Sequence, residues 1–338
     1  ISKETRLPVP MFSGYLASWL GEAGYYNVLS SGNAWLSPKW NATQGYDVVL
    51  TPNRGEASYI YDKGIEKLEE AIDQGKADKW FFHVHLMEPH APYQPPESYL
   101  DALDSLPTVP YNLVFKDEHY DATGDFPQMT EEEQVALESV LRARYAAEID
   151  YIDDQLFWIF NDLDHRNLLD DALVVIWNDH GEQFWEHGKQ SHAYGLHREE
   201  NDGWAIFWSR NIVAAPWTGP TVSIDLVPTL LKLHDIDIPE AVTGHPLGER
   251  DPLGPRFATS VARSGALQSV RKENWKLIFN WSGGLRLYDL EADPGEQDDL
   301  YSTLHPKAIE LWQDLKPYVE AAEPLITEFD VNWPFGLD

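Results

Sequence analysis

Trp80-Phe81-Phe82-His83-Val84-His85-Leu86, running straight into Met87-Glu88-Pro89-His90-Ala91-Pro92-Tyr93, decides the fold. An unbroken apolar and aromatic run of this length, closed by proline, predicts a strand buried on both faces of a sheet. Upstream, residues 55 to 74 carry Ile60, Ile65, Leu68 and Ile72 on one side of a predicted helix. Residues 9 to 23 predict another, with Phe12, Leu16, Trp19 and Leu20 on its apolar side and Gly24 as its stop. Tyr25 to Leu29 is a short strand between them, and Ser30 to Asn53, with Gly32, Pro38, Gly45 and Pro52, is an irregular loop. Helix alternating with buried strand predicts an α/β protein built on a parallel sheet.

Downstream, residues 92 to 129 are rich in Pro, Asp and Tyr and lack periodicity, which predicts a long surface excursion. Thr130 and Glu133 form a capping box that opens the longest helix, about 131 to 163. Its Leu137, Leu141, Tyr145, Ile149, Ile152, Leu156 and Ile159 fall at spacings of four and three, the pattern of one buried stripe. Leu173 to Trp177 and Trp204 to Trp208 are further buried strands, and Asp225 to His234 is a short helix. Near residue 257 the texture changes to short segments, Ala258 to Ala262, Gln268 to Lys272, Trp275 to Asn280 and Leu285 to Leu290, separated by turn residues. They predict an antiparallel meander with a last helix, about 305 to 321, packed on it through Ile309, Trp312 and Leu315. The expected division is residues 1–256 and 257–338.

Composition narrows the classes. The chain has 338 residues, 56 Asp plus Glu against 25 Lys plus Arg, a formal charge of -31 and no cysteine. With 43% hydrophobic residues and 14 Trp it is too apolar to be a disordered acidic chain. Thiolate metal sites, disulfides and cysteine nucleophiles are excluded within these residues, and so is attraction to a nucleic-acid backbone. No run approaches the roughly 18 apolar residues of a membrane span. Acid excess spread along the whole chain predicts a halophilic protein, haloarchaeal in origin, working in a salt-accumulating cytoplasm or after secretion. The first residue is Ile1 rather than Met, and an upstream segment is expected.

Chemistry concentrates at two predicted strand ends. Asn178-Asp179-His180-Gly181-Glu182 follows Leu173 to Trp177, and ligands of open parallel sheets bind at carboxyl ends of strands. A carboxylate and an imidazole in succession can both turn toward a divalent cation if the chain leaves the sheet through a tight loop, which Gly181 permits. His90 lies between two prolines after the strand Trp80 to Leu86, and the fixed backbone suits a preorganised acid, base or oxyanion donor. His83 and His85 lie within that strand and are expected to be core or sheet-face histidines. A third group, Glu186, His187, His192 and His197, has neither an HExxH nor a zinc-finger spacing, so a multi-histidine zinc cage is not expected.

At these residues the sequence resembles the type I sulfatases of the alkaline phosphatase superfamily. Phe81 to Tyr93 is similar to their strand and PHxPY loop, Asp179-His180-Gly181-Glu182 through Glu186-His187-Gly188 to their DHGE-x-F-x-EHG segment, and Ser223 to Leu231 to their S-x-x-DLxPTLL helix. Arg271 to Leu300, with Leu287-Tyr288-Asp289-Leu290, resembles their carboxy-terminal subdomain. The resemblance implies an alkaline phosphatase-like mixed, mostly parallel sheet sandwiched by helices, with a small C-terminal antiparallel sheet plus helix. It implies a metal-dependent sulfuric ester hydrolase acting on a small-molecule or carbohydrate sulfate ester. Asp179 and His180 match metal ligands, His90 matches the active-site histidine of the PHxPY loop, and His192 falls where relatives carry a Lys or His on the sulfate. Ca²⁺ is the implied cation, and an imidazole ligand leaves Mn²⁺ or Zn²⁺ open. The family's nucleophile, a formylglycine made within a C/S-x-P-x-R motif, and its early Asp-Asp pair are both missing from these residues. Both are therefore expected upstream, and the chain alone is expected to be inactive. The alternatives are a phosphonate or phosphodiester hydrolase or a phosphoethanolamine transferase of the same superfamily, or a noncatalytic binding relative. Tyr93, Tyr99, Tyr111 and Tyr120 either border a substrate cleft or anchor the excursion.

Overall fold

The computed structural model describes residues 15–52, 56–100, 106–109, 129–262, 265–281, 284–302 and 305–328. Phe12, Tyr111 and Tyr120 lie outside the described residues. The first half runs α1 (Leu16–Glu22), β1 (Tyr26–Ser31), β2 (Val48–Leu50), α2 (Ala57–Asp73), β3 (Trp80–His85) and α3 (Glu131–His165). It continues through β4 (Val174–Trp177), β5 (Gln183–Phe184), β6 (Gln190–Ser191), α4 (Arg198–Asn201), β7 (Ala205–Trp208) and α5 (Leu226–Leu233). Strands β8 (Arg256–Ala262), β9 (Gly265–Lys272), β10 (Trp275–Asn280) and β11 (Leu285–Asp289) and helix α6 (Pro306–Glu328) complete it.

The parallel sheet has the order β2-β1-β3, with Val28 opposite both Val48 and Phe82. Apolar residues on one side of α2 explain its seat: Ile60, Ile65 and Leu68 are buried, with Leu68 packed against Val28 of β1 and Leu163 of α3. The helix comes close to the sheet at Gly64, where a Cβ would meet the Phe82 ring at 2.5 Å. Helix α3 opens as its capping box dictates, with Thr130 Oγ1 accepting from Glu133 N at 3.2 Å and Glu133 Oε2 accepting from Thr130 N at 2.8 Å.

Strand β4 pairs antiparallel with β7, Ile176 opposite Ile206, and no described strand joins this pair to β3. Between them lies a cavity of about 2270 Å³, lined by β3, β4, Ile152, Leu156 and Ile159 of α3, and Leu226 and Leu230 of α5. That opening corrects three expectations of burial. Strand β3 is half-buried along its whole length, Trp177 and Ile206 are exposed, and the α3 stripe, buried at Leu137 and Leu141, is exposed at Ile149. The residues have the predicted periods, but the space they face is open.

The C-terminal strands form a consecutive antiparallel sheet, β8-β9-β10-β11, with Leu277 opposite both Val270 and Leu287. Helix α6 lays Ala308, Leu311, Leu315 and Val319 on that layer with Trp312 packed beside them, so Trp312 and Leu315 pack as expected, whereas Ile309 is 48% exposed. The sheet joins the rest of the protein through Leu196, packed with Leu267, Ile278 and Tyr288. Beside that contact a buried charge cluster forms: Lys276 Nζ lies 2.8 Å from Glu296 Oε1, and Glu296 Oε2 lies 3.0 Å from His197 Nδ1. His197 stacks on His187 with ring centroids 3.6 Å apart. Among the described residues no helix is long and apolar enough to cross a membrane.

Candidate functional site

The site is assembled from loops at the carboxyl ends of β3 and β4. After β3 the chain turns at Met87, whose carbonyl accepts from His90 N at 2.7 Å. The His90 Nδ1–H donates to the Ala91 carbonyl at 2.6 Å, which leaves Nε2 without a hydrogen-bond partner among the described residues and fixes the ring. Desolvation lowers the His90 pKa, opposed by that carbonyl. After β4, Asn178 holds the exit loop on both sides, accepting from Trp204 N at 2.7 Å and donating to the His180 carbonyl at 2.9 Å. The loop then passes so close to α4 that a Cβ at Gly181 would sit 2.1 Å from the Glu199 carbonyl, so the glycine is required by space.

Asp179 Oδ1 accepts from His180 N at 2.9 Å, and its Oδ2 lies 3.7 Å from His180 Nε2. The Asp179 side chain is 72% exposed, and both residues line the cavity. His180 Nδ1–H donates to the Gly181 carbonyl at 2.8 Å, so the ring presents Nε2. The centroid of the His192 ring lies 4.1 Å from that of His180 and 5.2 Å from that of His90. The structure therefore brings Asp179, His180, His90 and His192 into one cluster. It separates the other histidines: His187 and His197 pair with Glu199 and Glu296 against the C-terminal sheet.

Donor chemistry at the cluster suits a cation in kind. Asp179 offers a hard, charged oxygen, and His180 an imidazole whose remaining nitrogen is tied to a carbonyl, as metal-bound histidines are. In number it falls short, since no group of three or more carboxylates and imidazoles able to hold a metal occurs among the described residues. His85 adds a buried Nδ1 with no hydrogen-bond partner among the described residues, within the field of Asp179. His83 behaves as a core histidine, with its Nδ1 2.7 Å from the Tyr46 hydroxyl and its pKa pushed by burial down to about 4.

The cluster is supported from behind by Tyr93, one of the aromatics weighed above, and by Glu182, to which the sequence reading gave no role. Tyr93 is 2% exposed, packs on Tyr145 and Phe184, and anchors the loop rather than bordering a cleft. Tyr99 is also held from behind, donating to Asp154 at 2.7 Å. Glu182 accepts from the Tyr93 hydroxyl at 2.8 Å and lies 3.0 Å from His192 Nδ1. The signal was register: the β5–β6 hairpin pairs Gln183 with Ser191, which sets Glu182 opposite His192.

The loop after Tyr93 rests on a second buried carboxyl. Glu148 is 5% exposed and accepts from Gln94 N at 2.6 Å; burial pushes its pKa from 4.5 up to about 7, with Glu88 adding to the rise. A carboxyl raised on folding contributes stability that is present below its unfolded value and lost as pH rises through the folded one. Glu148→Gln keeps the acceptor but cannot ionise. It is expected to match the wild type at about pH 4.5 and exceed it at about pH 8 by on the order of 3 kcal/mol. Denaturant melts at the two pH values check this, and a difference that does not change with pH would refute it.

Comparisons with known proteins follow the same residues. The family model described as Sulfatase matches residues 9–236. Over 267 residues, 72% of this chain and 51% of the relative, the sequence is 25% identical to choline-sulfatase of Rhizobium meliloti (strain 1021). Over 299 residues, 80% of this chain and 57% of the relative, it is 22% identical to an arylsulfatase of Clostridium perfringens (strain 13 / Type A). The chain thus spans about half the length of the curated relatives it matches. Among solved structures, a protein in complex with its substrate D-glucosamine-2-N,6-O-disulfate superposes with TM-score 0.72 at 16% identity, covering 94% of this chain and 84% of that one. The phosphonate monoester hydrolase of Agrobacterium radiobacter superposes with TM-score 0.61 at 18% identity, covering 94% and 81%. At these identities the likeness carries the fold, an α/β architecture with a small antiparallel sheet at its end. With the family model covering residues 9–236 of 338, well over half, the chain belongs to the sulfatase family.

Proposed function

We propose that these residues form the larger part of a metal-dependent hydrolase of sulfate monoesters. The remaining ligands and the nucleophile, a formylglycine, would come from polypeptide outside the 338 residues. The observation that carries the reading is the convergence of Asp179, His180, His90 and His192 at the carboxyl ends of β3 and β4. Two features support the outside contribution: the incomplete donor set, and the cavity lined by the facing strands β3 and β4.

Hydrolysis of a sulfate ester breaks an S–O bond and builds charge on the leaving oxygen while the sulfuryl oxygens keep theirs. A divalent cation held by Asp179 and His180, Ca²⁺ by the charge and hardness of the aspartate, would supply Lewis acidity toward those oxygens. His90, fixed by its bond to Ala91, presents Nε2 as a hydrogen-bond donor or acceptor toward the reacting group. His192 presents its own Nε2 from the other side, placed to deliver a proton to the leaving oxygen. The alcohol would be a small molecule or a carbohydrate.

His90→Ala in the full-length protein is expected to lower kcat by roughly 10² or more on nitrophenyl sulfate, because its Nε2 acts on the transition state. A change confined to KM would assign His90 to binding alone. The wild type is assayed beside it on a phenylphosphonate ester; faster turnover of the phosphonate than of the sulfate would replace the reading with phosphonate hydrolysis.

A further inference from the structure

Resting on the reading above, we propose that Glu182 is the positioning residue of His192: it holds the proton on Nδ1 and so makes Nε2 the atom that meets the leaving oxygen. A directed chain of hydrogen bonds leads to His192. Gln190 Nε2 lies 3.4 Å from the Tyr93 hydroxyl, which donates to Glu182 Oε2 at 2.8 Å, and Glu182 Oε1 lies 3.0 Å from His192 Nδ1. The first three side chains are out of water: Tyr93 and Gln190 are 2% exposed and the Glu182 side chain 5%, while the His192 side chain is 18% exposed.

Direction along this chain is forced at Tyr93. Burial, reinforced by the Glu182 charge, raises the phenol pKa far above its ordinary value, so the hydroxyl keeps its proton and donates. A carboxylate only accepts, so the contact from Oε1 to His192 requires a proton on Nδ1. The neutral ring then has its lone pair on Nε2, and the cationic ring has its exchangeable proton there. That atom belongs to the ring packed against His180 and His90. In the reaction the nucleophile would bond to sulfur as the ester S–O bond breaks, the leaving oxygen would take the Nε2 proton of the cationic ring, and the ring would return to its neutral form with Nδ1–H still on Glu182.

Backbone conformation holds the arrangement from the other side. His192 is flanked by Ser191 at φ 80° and Ala193 at φ 68°, both left-handed, a strained choice for non-glycine residues. The hairpin register that places Glu182 opposite His192 thus fixes both ends of the ring's backbone. A histidine so constrained has one orientation, and one carboxylate decides which nitrogen is bare.

The test is spectroscopic first. Full-length protein labelled with nitrogen-15 at histidine is examined at a pH where the rings are neutral, with His192 assigned by its loss in His192→Gln. The expected spectrum has Nδ1 protonated and Nε2 bare. A proton on Nε2 in the wild type overturns the inference. Glu182→Leu should admit the Nε2–H form, and Tyr93→Phe should not, since the carboxylate stays beside the ring. A Glu182→Leu protein that is folded and keeps the wild-type tautomer also overturns it. If that variant does not fold, Glu182→Asp is used, and it should retain the proton on Nδ1. The kinetic arm expects kcat to fall roughly 10- to 100-fold in Glu182→Leu with KM little changed, and to fall further on an alkyl sulfate than on nitrophenyl sulfate. Equal losses on both esters would overturn the role in proton delivery. A wild type with the expected tautomer but no turnover of any sulfate ester supports the placement by Glu182 and overturns only the proposed reaction.

Discussion

Asp179→Ala in the full-length protein is expected to abolish divalent-cation binding and lower turnover by roughly 10³ or more, while the fold survives. Asp179 is the one formal negative charge at the exit of β4 that faces the cavity with most of its surface open, at 72% exposure. Among the described residues its side chain makes one hydrogen bond, which Oδ1 accepts from His180 N, so removing it breaks little structure. The change in folding stability should stay within about 1 kcal/mol. Titration calorimetry with Ca²⁺, Mn²⁺ and Zn²⁺ measures the binding directly, and unchanged affinity in the variant would remove Asp179 from the cation site. Asp179→Asn, which keeps an oxygen and loses the charge, should fall between the two.

Glu296→Ala should lose about 3–5 kcal/mol of stability, the largest effect expected from any change remote from the site. Lys276 and Glu296 are 4% and 3% exposed, and His197 also points its Nδ1 at the same carboxylate. Burial penalises the Glu296 charge, yet the hydrogen bond from His197 and the ammonium of Lys276 hold its pKa below the ordinary value of 4.5. Burial pushes Lys276 below the usual lysine range despite the attraction of Glu296. Without the carboxylate the ammonium is stranded in an apolar layer. The contribution of the depressed carboxyl is present above its unfolded value and disappears as pH falls through the lower folded one, below about 4.5. Chemical denaturation of Glu296→Ala beside the pair Lys276→Met, Glu296→Leu distinguishes loss of a partner from loss of packing. Recovery of most of the stability in the pair is expected, and failure to recover it would mean the cluster matters by shape and not by charge.

Much of this architecture is legible in residue order. The helices around Ile60 to Leu68 and Leu137 to Leu141, the strand Trp80 to His85 and the four-strand meander follow from period, capping and turn chemistry, with no end shifted by more than three residues except at α6. Strand β2 is missed because three residues, Val48–Leu50, are too few to show a period within a loop that holds Gly45 and Pro52. The hairpin of β5 and β6 is missed for the same reason, two residues a side, and with it the role of Glu182, which was named only as part of the run from Asn178. Burial was misjudged wherever residues face the cavity, because hydrophobic period reports the side a residue prefers and says nothing of what stands opposite. Asp179, His180 and His90 were singled out from their places at strand ends and His192 only through the family resemblance, whereas the ring contacts among them come from how the exit loops of β3 and β4 turn.

The open rows of backbone along β3 and β4 have a consequence for how this polypeptide behaves in solution. Among the described residues each of these strands is paired along one side, and the amides of the other side face the opening. Such a margin is adhesive toward any extended chain, including another molecule of its own kind. The net charge of -31 works against that, because like-charged molecules repel until added electrolyte screens them. On the reading proposed above, the extended chain that such margins would admit is polypeptide from outside the 338 residues, so that covering both strands and completing the donor set would be one event.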